Sequence, residues 1–297
     1  MRNMRRAGSA ATQRIDGTWY RLPQARTARR AAFASAGLFA ISAVVTGCAA
    51  PAPTPKQQLT VAYHDLDQRQ YDSAYLKADA VLRKQPAGPG SAEALYLEGR
   101  VAEAKAEQAG TAGKTDDART QLTTAANLYL RALSQSPAPS LEGLCRCGLA
   151  NAAYYLDDYP TAVREWGLAF PLVERPEDKA WVLFRVGLCQ QRLGWFEMAD
   201  RSFNRLQKEF AAYEPATKAA PRIGQRAFYL QVGVYSSAKN AEAEVTRIRA
   251  QRLVATRTKD PATGRQTVRA GPYTTYIEAR AAQAQLAKAY PDAIVIP

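Results

Sequence analysis

Two stretches near the C-terminus, "QVGVYSSAKNAEA" (231–243) and "RAGPYTTYIEARA" (269–281), superimpose with a constant offset of 38 residues. Gly233 falls on Gly271, Tyr235 on Tyr273, Ser236 and Ser237 on Thr274 and Thr275, and Ala241 on Ala279. Each copy passes from strand-like alternation to apolar residues three and four apart, the period of a helix. In "AFYLQVGVY" the alternation sets Phe228, Leu230, Val232 and Val234 on one face, and Tyr229, Gln231, Gly233 and Tyr235 on the other. Ser237 is placed to cap the first helix, and "TYIE", Thr275–Glu278, is a capping box for the second. Between them, "VATRTKDPATGRQTVRAG" reads as two strands joined by a turn at Pro261–Gly264, with Thr267 and Arg269 facing away from Val268 and Ala270. "AIVIP" adds a last short strand. The order is βαββαβ, two split halves with both helices on one face of an antiparallel sheet: a small ferredoxin-like α+β domain over 227–297.

Upstream, from about Gln57 to Phe210, apolar residues recur at helical spacing in a background of Ala, Leu, Glu, Gln and Arg. This stretch also repeats. "LDDYPTAVREWGLA" (156–169) lies over "LGWFEMADRSFNRL" (193–206) with an offset of 37, setting Tyr159 on Phe196, Ala162 on Ala199 and Trp166 on Phe203. Tyr71 and Ala74, then Leu122, Ala125, Tyr129 and Ala132, take the same places further upstream. Small residues at Ala62, Gly99, Ala150 and Gly187 and prolines at Pro86, Pro137, Pro176 and Pro215 complete a pattern that resembles the tetratricopeptide repeat. The resemblance implies helical hairpins stacked into a superhelix over 58–215, with 216–226 as the linker to the terminal domain. It further implies a groove for a protein partner, lined by Tyr96, Arg100, Asn151, Tyr154, Trp181, Phe184 and Gln191. Aromatic residues at helical spacing serve equally as core, so for these side chains both uses stay open. Trp195, at a turn between helices, is the aromatic expected to be exposed. "EQAGTAGKTDDA" (107–118) reads as an insertion forming an exposed loop. Its "GKT" (113–115) has Gln108 where a phosphate loop needs glycine, and a helix rather than a strand precedes it. No nucleotide or other cofactor is expected.

The formal charge of +13 is uneven: +7 over residues 1–47, −1 over 48–221 and +7 over 222–297. Arg29 and Arg30 precede an uncharged run, Ala31–Thr46, too short for a membrane span of about 20 apolar residues. That run meets "VTGC" (45–48), which resembles the lipobox of bacterial lipoproteins. The resemblance implies a signal peptide over 1–47, a lipid on Cys48, and, with Ala49 following, attachment to the outer membrane facing the periplasm. Residues 48–57 are a Pro-rich tether. Of the remaining cysteines, Cys145 and Cys147 are too close to bridge each other, so one disulfide to Cys189 or three buried thiols are the choices. His64 is the only histidine and no CxxC or HExxH spacing occurs, so no metal site is expected.

The pair "YLQVGVYSSAKNAEAEV" (229–245) and "QTVRAGPYTTYIEARAA" (266–282) resembles the SPOR, or sporulation-related, family. Gln and Gly in the first strand, then Arg269, Gly271 and Pro272 in the third, carry the resemblance. It implies binding of peptidoglycan glycan strands stripped of their stem peptides. The chemistry is compatible: an open face bearing Tyr229, Gln231, Arg257 and Arg269, with Tyr273 beside it, offers stacking, amide hydrogen bonds and cations for lactyl carboxylates. An RNA-reading sheet of this topology would also use basic and aromatic residues, but export removes RNA from reach, so no nucleic acid is expected. Together these features describe a non-enzymatic envelope protein acting in cell division or wall remodelling. The alternatives are a wall hydrolase or transglycosylase with a targeting module, and an outer-membrane assembly or secretion scaffold.

Overall fold

The computed structural model describes residues 53–297; the expected signal peptide, Cys48 with its expected lipid, and the first part of the expected tether lie outside the described residues. Nine α-helices come first among them: α1 (Pro55–Asp67), α2 (Tyr71–Lys84), α3 (Pro89–Thr111), α4 (Thr115–Ser134), α5 (Pro139–Tyr155), α6 (Tyr159–Ala169), α7 (Pro176–Arg192), α8 (Phe196–Glu209) and the short α9 (Glu214–Ala219). The first eight form four helical hairpins. Each hairpin opens with proline at the first helical position, where the missing N–H costs nothing and the fixed φ suits a helix. α1 starts earlier than expected, because Thr54 and Gln57 form a capping box that draws the end of the tether into the helix.

The four hairpin turns are copies of one another. Arg69, Gly113, Asp157 and Gly194 are each the middle residue of a three-residue turn, with φ of 61°, 75°, 66° and 79°. The amide of the next residue returns to a carbonyl five positions back: Gln70 to Asp65, Lys114 to Ala109, Asp158 to Ala153 and Trp195 to Gln190, at 2.8 to 2.9 Å. This is the Schellman closure, which satisfies otherwise orphaned helix-end carbonyls and reverses the chain. The 107–118 stretch is not a loop. It lengthens α3 to 23 and α4 to 20 residues, leaving only the turn around Gly113, so "GKT" sits at a helix-to-helix corner.

Inside the hairpins, glycine and aromatic rings are matched. A Cβ on Gly187 would lie 2.4 Å from the Phe203 ring, and one on Gly99 or Gly148 would lie 2.6 or 2.5 Å from the Tyr129 ring. Glycine within a helix costs about 1 kcal/mol relative to alanine; here it lets a large ring be wholly buried between helices. The stretch expected to be a linker is part of this core, since Pro215, Ala216 and Ala219 are buried and the last two pack with Phe203 and Leu206.

The terminal domain is built from β1 (Phe228–Tyr235), α10 (Ala238–Ala250), β2 (Ala255–Lys259), β3 (Gln266–Tyr273), α11 (Tyr276–Leu286) and β4 (Ile294–Ile296). All pairings are antiparallel and the strand order is β2-β3-β1-β4, the split βαβ arrangement expected from the sequence. Leu230, Val268, Ala270 and Ala255 form the core with Ala241, Val245 and Ile248 of α10 and Leu286 of α11, so both helices lie on one face. Thr275 and Glu278 make the expected capping box, whereas Ser237 holds the N-cap position of α10 without a side-chain bond. The doubled Gly-x-Tyr has a local cause. A Cβ on Gly233 would meet the Tyr235 hydroxyl at 2.9 Å, and one on Gly271 would meet the Tyr273 ring at 3.1 Å. In both copies the tyrosine folds back over the glycine two residues before it.

Candidate functional site

The face of the sheet away from the helices is the candidate site, and two register shifts decide what lies on it. Gln231 pairs with Arg269 and Gly233 with Val268, so Val232 is an extra residue in β1. Beyond it the alternation inverts. Val234 pairs with Thr267 and stands 49% exposed on the open face, while Tyr235 packs against the helix-side core; the simple alternation placed both the other way. A second shift sets Tyr273 opposite Phe228, although Ala270 is opposite Leu230, so Gly271 and Pro272 together match one residue of β1. Gly271 adopts φ 116°, with the Phe228 carbonyl 3.1 Å from where a Cβ would stand, a geometry that requires glycine.

Tyr273 is thereby carried off the open face. It packs against the buried groups of the helix side, its hydroxyl enclosed without a hydrogen-bond partner among the described residues and its ionisation pushed upward by burial. Arg257, also expected on the open face, is not there. It pairs with Val268, hence points to the helix side, where it donates to Glu242 of α10 at 2.8 Å and to Gln266 at 2.9 Å. Neither side chain belongs to the open face.

Tyr229, Gln231 and Arg269 do belong to it. β1 and β3 are the central strands, so the Gln231–Arg269 pair lies in the middle of the sheet. Thr267 of β3, Thr256 and Thr258 of β2, and Ile294 and Ile296 of β4 share this face by register. Arg269 is half-buried, and its Nε is shielded from water with no hydrogen-bond partner among the described residues. Closed to water, the Nε is equally closed to a ligand oxygen, so charge-assisted contact on this face falls to the terminal nitrogens of the guanidinium. The adjacent amide of Gln231 and the threonine hydroxyls add neutral donors and acceptors, while Val234 and the two isoleucines offer apolar contact.

The helical region contributes less surface than its sequence suggested. Tyr96, Tyr154, Trp181, Phe184 and Gln191 are buried, at 1% to 7% exposure. They fill the spaces within and between hairpins: Tyr96 beside Tyr129, Tyr154 beside Trp166, and Phe184 between Trp181 and Phe203. Gln191 spends its amide on the Arg222 carbonyl at 2.8 Å. Arg100 is engaged by the Tyr96 hydroxyl at 3.0 Å and by Glu103 at 3.4 Å, leaving Asn151 as the least committed of the seven. Trp195 is exposed, as expected. Cys145, Cys147 and Cys189 are free and buried, and burial pushes each thiol up to about 12. Among the described residues no cluster of three or more His, Cys, Asp or Glu side chains could hold a metal, and no helix is long and apolar enough to cross a membrane.

A four-stranded sheet with helices on one side and an open face centred on an arginine and a glutamine defines a small ligand-binding module. Residues 224–297 match the model of the SPOR domain, which is a peptidoglycan-binding module, and the chain is accordingly one of the cell envelope. No curated protein matches the sequence.

Proposed function

We propose that this chain is a non-enzymatic adaptor of the cell envelope. Its SPOR domain holds peptidoglycan glycan strands that have lost their stem peptides, and its helical hairpins form a tetratricopeptide-like scaffold that recruits a protein during wall remodelling or division. A lipid on Cys48 would attach it to the outer membrane, on the periplasmic side. The observation that carries the glycan assignment is the Gln231–Arg269 pair at the centre of the open face, a half-buried guanidinium beside an amide on the two central strands. A denuded strand presents a lactyl carboxylate on each muramic residue where peptide once stood, the oxygen ligand that a guanidinium prefers. The identical Schellman turns and the glycine-to-ring packing in the hairpins support the scaffold assignment.

The test is cosedimentation of the chain from Ala49 onward with intact sacculi and with amidase-treated sacculi. Retention on the amidase-treated wall, lost in Arg269→Ala, is expected. Absence of retention on either wall would overturn the glycan assignment.

A further inference from the structure

The SPOR domain is not held by its linker alone. Phe228, Tyr276 and Ala279 belong to the same buried cluster as Tyr154, Tyr159, Trp166 and Phe196 of the third and fourth hairpins. Phe228 and Tyr276 are 4% and 5% exposed, although each stands at the very start of its element, where an independent module would meet water. The Phe228 ring centroid lies 6.0 Å from that of Phe196, and the Tyr276 ring stands edge-on to Tyr159 at 6.2 Å. At the centre is Arg192, the last residue of α7. Its guanidinium carbon is 4.2 Å from the Tyr276 ring centroid and 4.5 Å from that of Tyr154, and it donates to the Tyr159 hydroxyl at 2.8 Å. One cation therefore sits against rings from both domains, an interaction that strengthens as water is excluded.

The connecting segment is strapped down as well. Gln191 holds the Arg222 carbonyl, and Asp200 accepts from the Gly224 amide at 2.9 Å and from Arg226 at 2.8 Å. Gly194 is glycine for two reasons. It closes the α7–α8 turn at φ 79°, and a Cβ there would stand 2.9 Å from the Thr274 carbonyl oxygen of the SPOR domain. That second contact makes it the point where the repeat meets its neighbour.

We propose that the SPOR domain is latched to the helical stack rather than tethered: Arg192 and Tyr276 form the latch, Gly194 is the seat, and the open sheet face is carried at a fixed orientation to the hairpins. Domains within a chain ordinarily move relative to one another unless their interface is large and apolar. The mixed aromatic cluster supplies such an interface here. The inference stands apart from the identity of any ligand on the open face.

Distances between spin labels at Thr120→Cys in α4 and Lys259→Cys in β2 test it, in the chain from Ala49 onward, whose native thiols are buried and resist labelling at neutral pH. A single narrow distribution is expected. Combining Tyr276→Ala with Arg192→Ala should broaden it severalfold. Val245→Ala, which trims the SPOR core outside the cluster shared with the hairpins, should leave the width unchanged. A broad distribution in the chain without latch substitutions overturns the latch, and so does a narrow one that survives both substitutions with circular dichroism intact. Should the double variant fail to fold, the width measured without latch substitutions decides alone.

Discussion

The helical stack and the SPOR domain both repeat themselves, but they spend their repetition differently. In the hairpins the repeated aromatics, Tyr129, Trp166 and Phe203 among them, are wholly enclosed, and matched glycines make room for two of them. In the SPOR domain the repeated Gly-x-Tyr also turns inward, so the doubled residues again serve packing. What remains on the open face is where the copies differ, glutamine at 231 against arginine at 269. Repetition solves the shared problem of burying two similar halves, whereas a ligand meets one surface and needs no second copy. A repeated residue is thus better evidence for fold, and a broken repeat better evidence for a site.

The harshest way to break that comparison is to empty a repeated position. Phe203→Ala should cost about 3–5 kcal/mol of stability in urea unfolding, because the ring is fully enclosed and the site cannot collapse around Gly187. Gly187→Ala should cost about 1–3 kcal/mol by overpacking the same contact. At the unrepeated position the effect should fall on binding instead. Arg269→Ala removes charge-assisted hydrogen bonds of about 1.5–3 kcal/mol, which lowers affinity for denuded sacculi roughly tenfold or more. Arg257→Ala should change it by less than about twofold, since that guanidinium is turned to Glu242 and an exposed pair contributes little. Equal losses from the two arginines would mean that the face has been drawn wrongly.

A further effect tests the interior of the stack by pH. Glu98 is 5% exposed, and its carboxyl is pushed up to about 7 by burial first and by Asp79 second, with Arg131 opposing. A carboxyl raised in the folded state costs nothing below its unfolded value of 4.5, costs progressively more as pH rises towards 7, and costs a constant amount above that. Glu98→Gln should therefore stabilise the chain by on the order of 1–3 kcal/mol at pH 8 and not at all at pH 4, read by thermal unfolding across that range. Arg69→Gly should have a modest effect, a gain of roughly 0.5–1 kcal/mol, because the turn holds a non-glycine residue at φ 61° where Gly113 and Gly194 serve two of the other hairpins.

Much of the architecture was legible in the residues. Period-two and period-3.6 patterns separate cleanly, the 38-residue offset reveals the split halves, and the capping box at Thr275 marks its helix. The open face was only partly legible. Tyr229, Gln231 and Arg269 follow from alternation, but Arg257 and Tyr273, expected on or beside that face, turn to its other side. For Arg257 the parity of β2 is invisible until its pairing with Val268 is known, because "ATRTK" is exposed or polar almost throughout. For Tyr273 the extra Gly271–Pro272 step decides the side, and such a bulge leaves no periodic trace. The groove residues stayed undecided for a different reason. Helical spacing says that Tyr96, Tyr154, Trp181 and Phe184 share an apolar face, but not whether another hairpin covers it.

By itself the sequence determined the elements, their order and the two kinds of repeat, because local periodicity, caps and turn residues act over a few positions. The tertiary structure alone decided which side of the sheet each polar residue occupies and that the aromatic groove residues are core. It also decided that Arg192 lies between rings of two domains. Those outcomes depend on register and on contacts between residues far apart in the chain, and no local pattern carries that information.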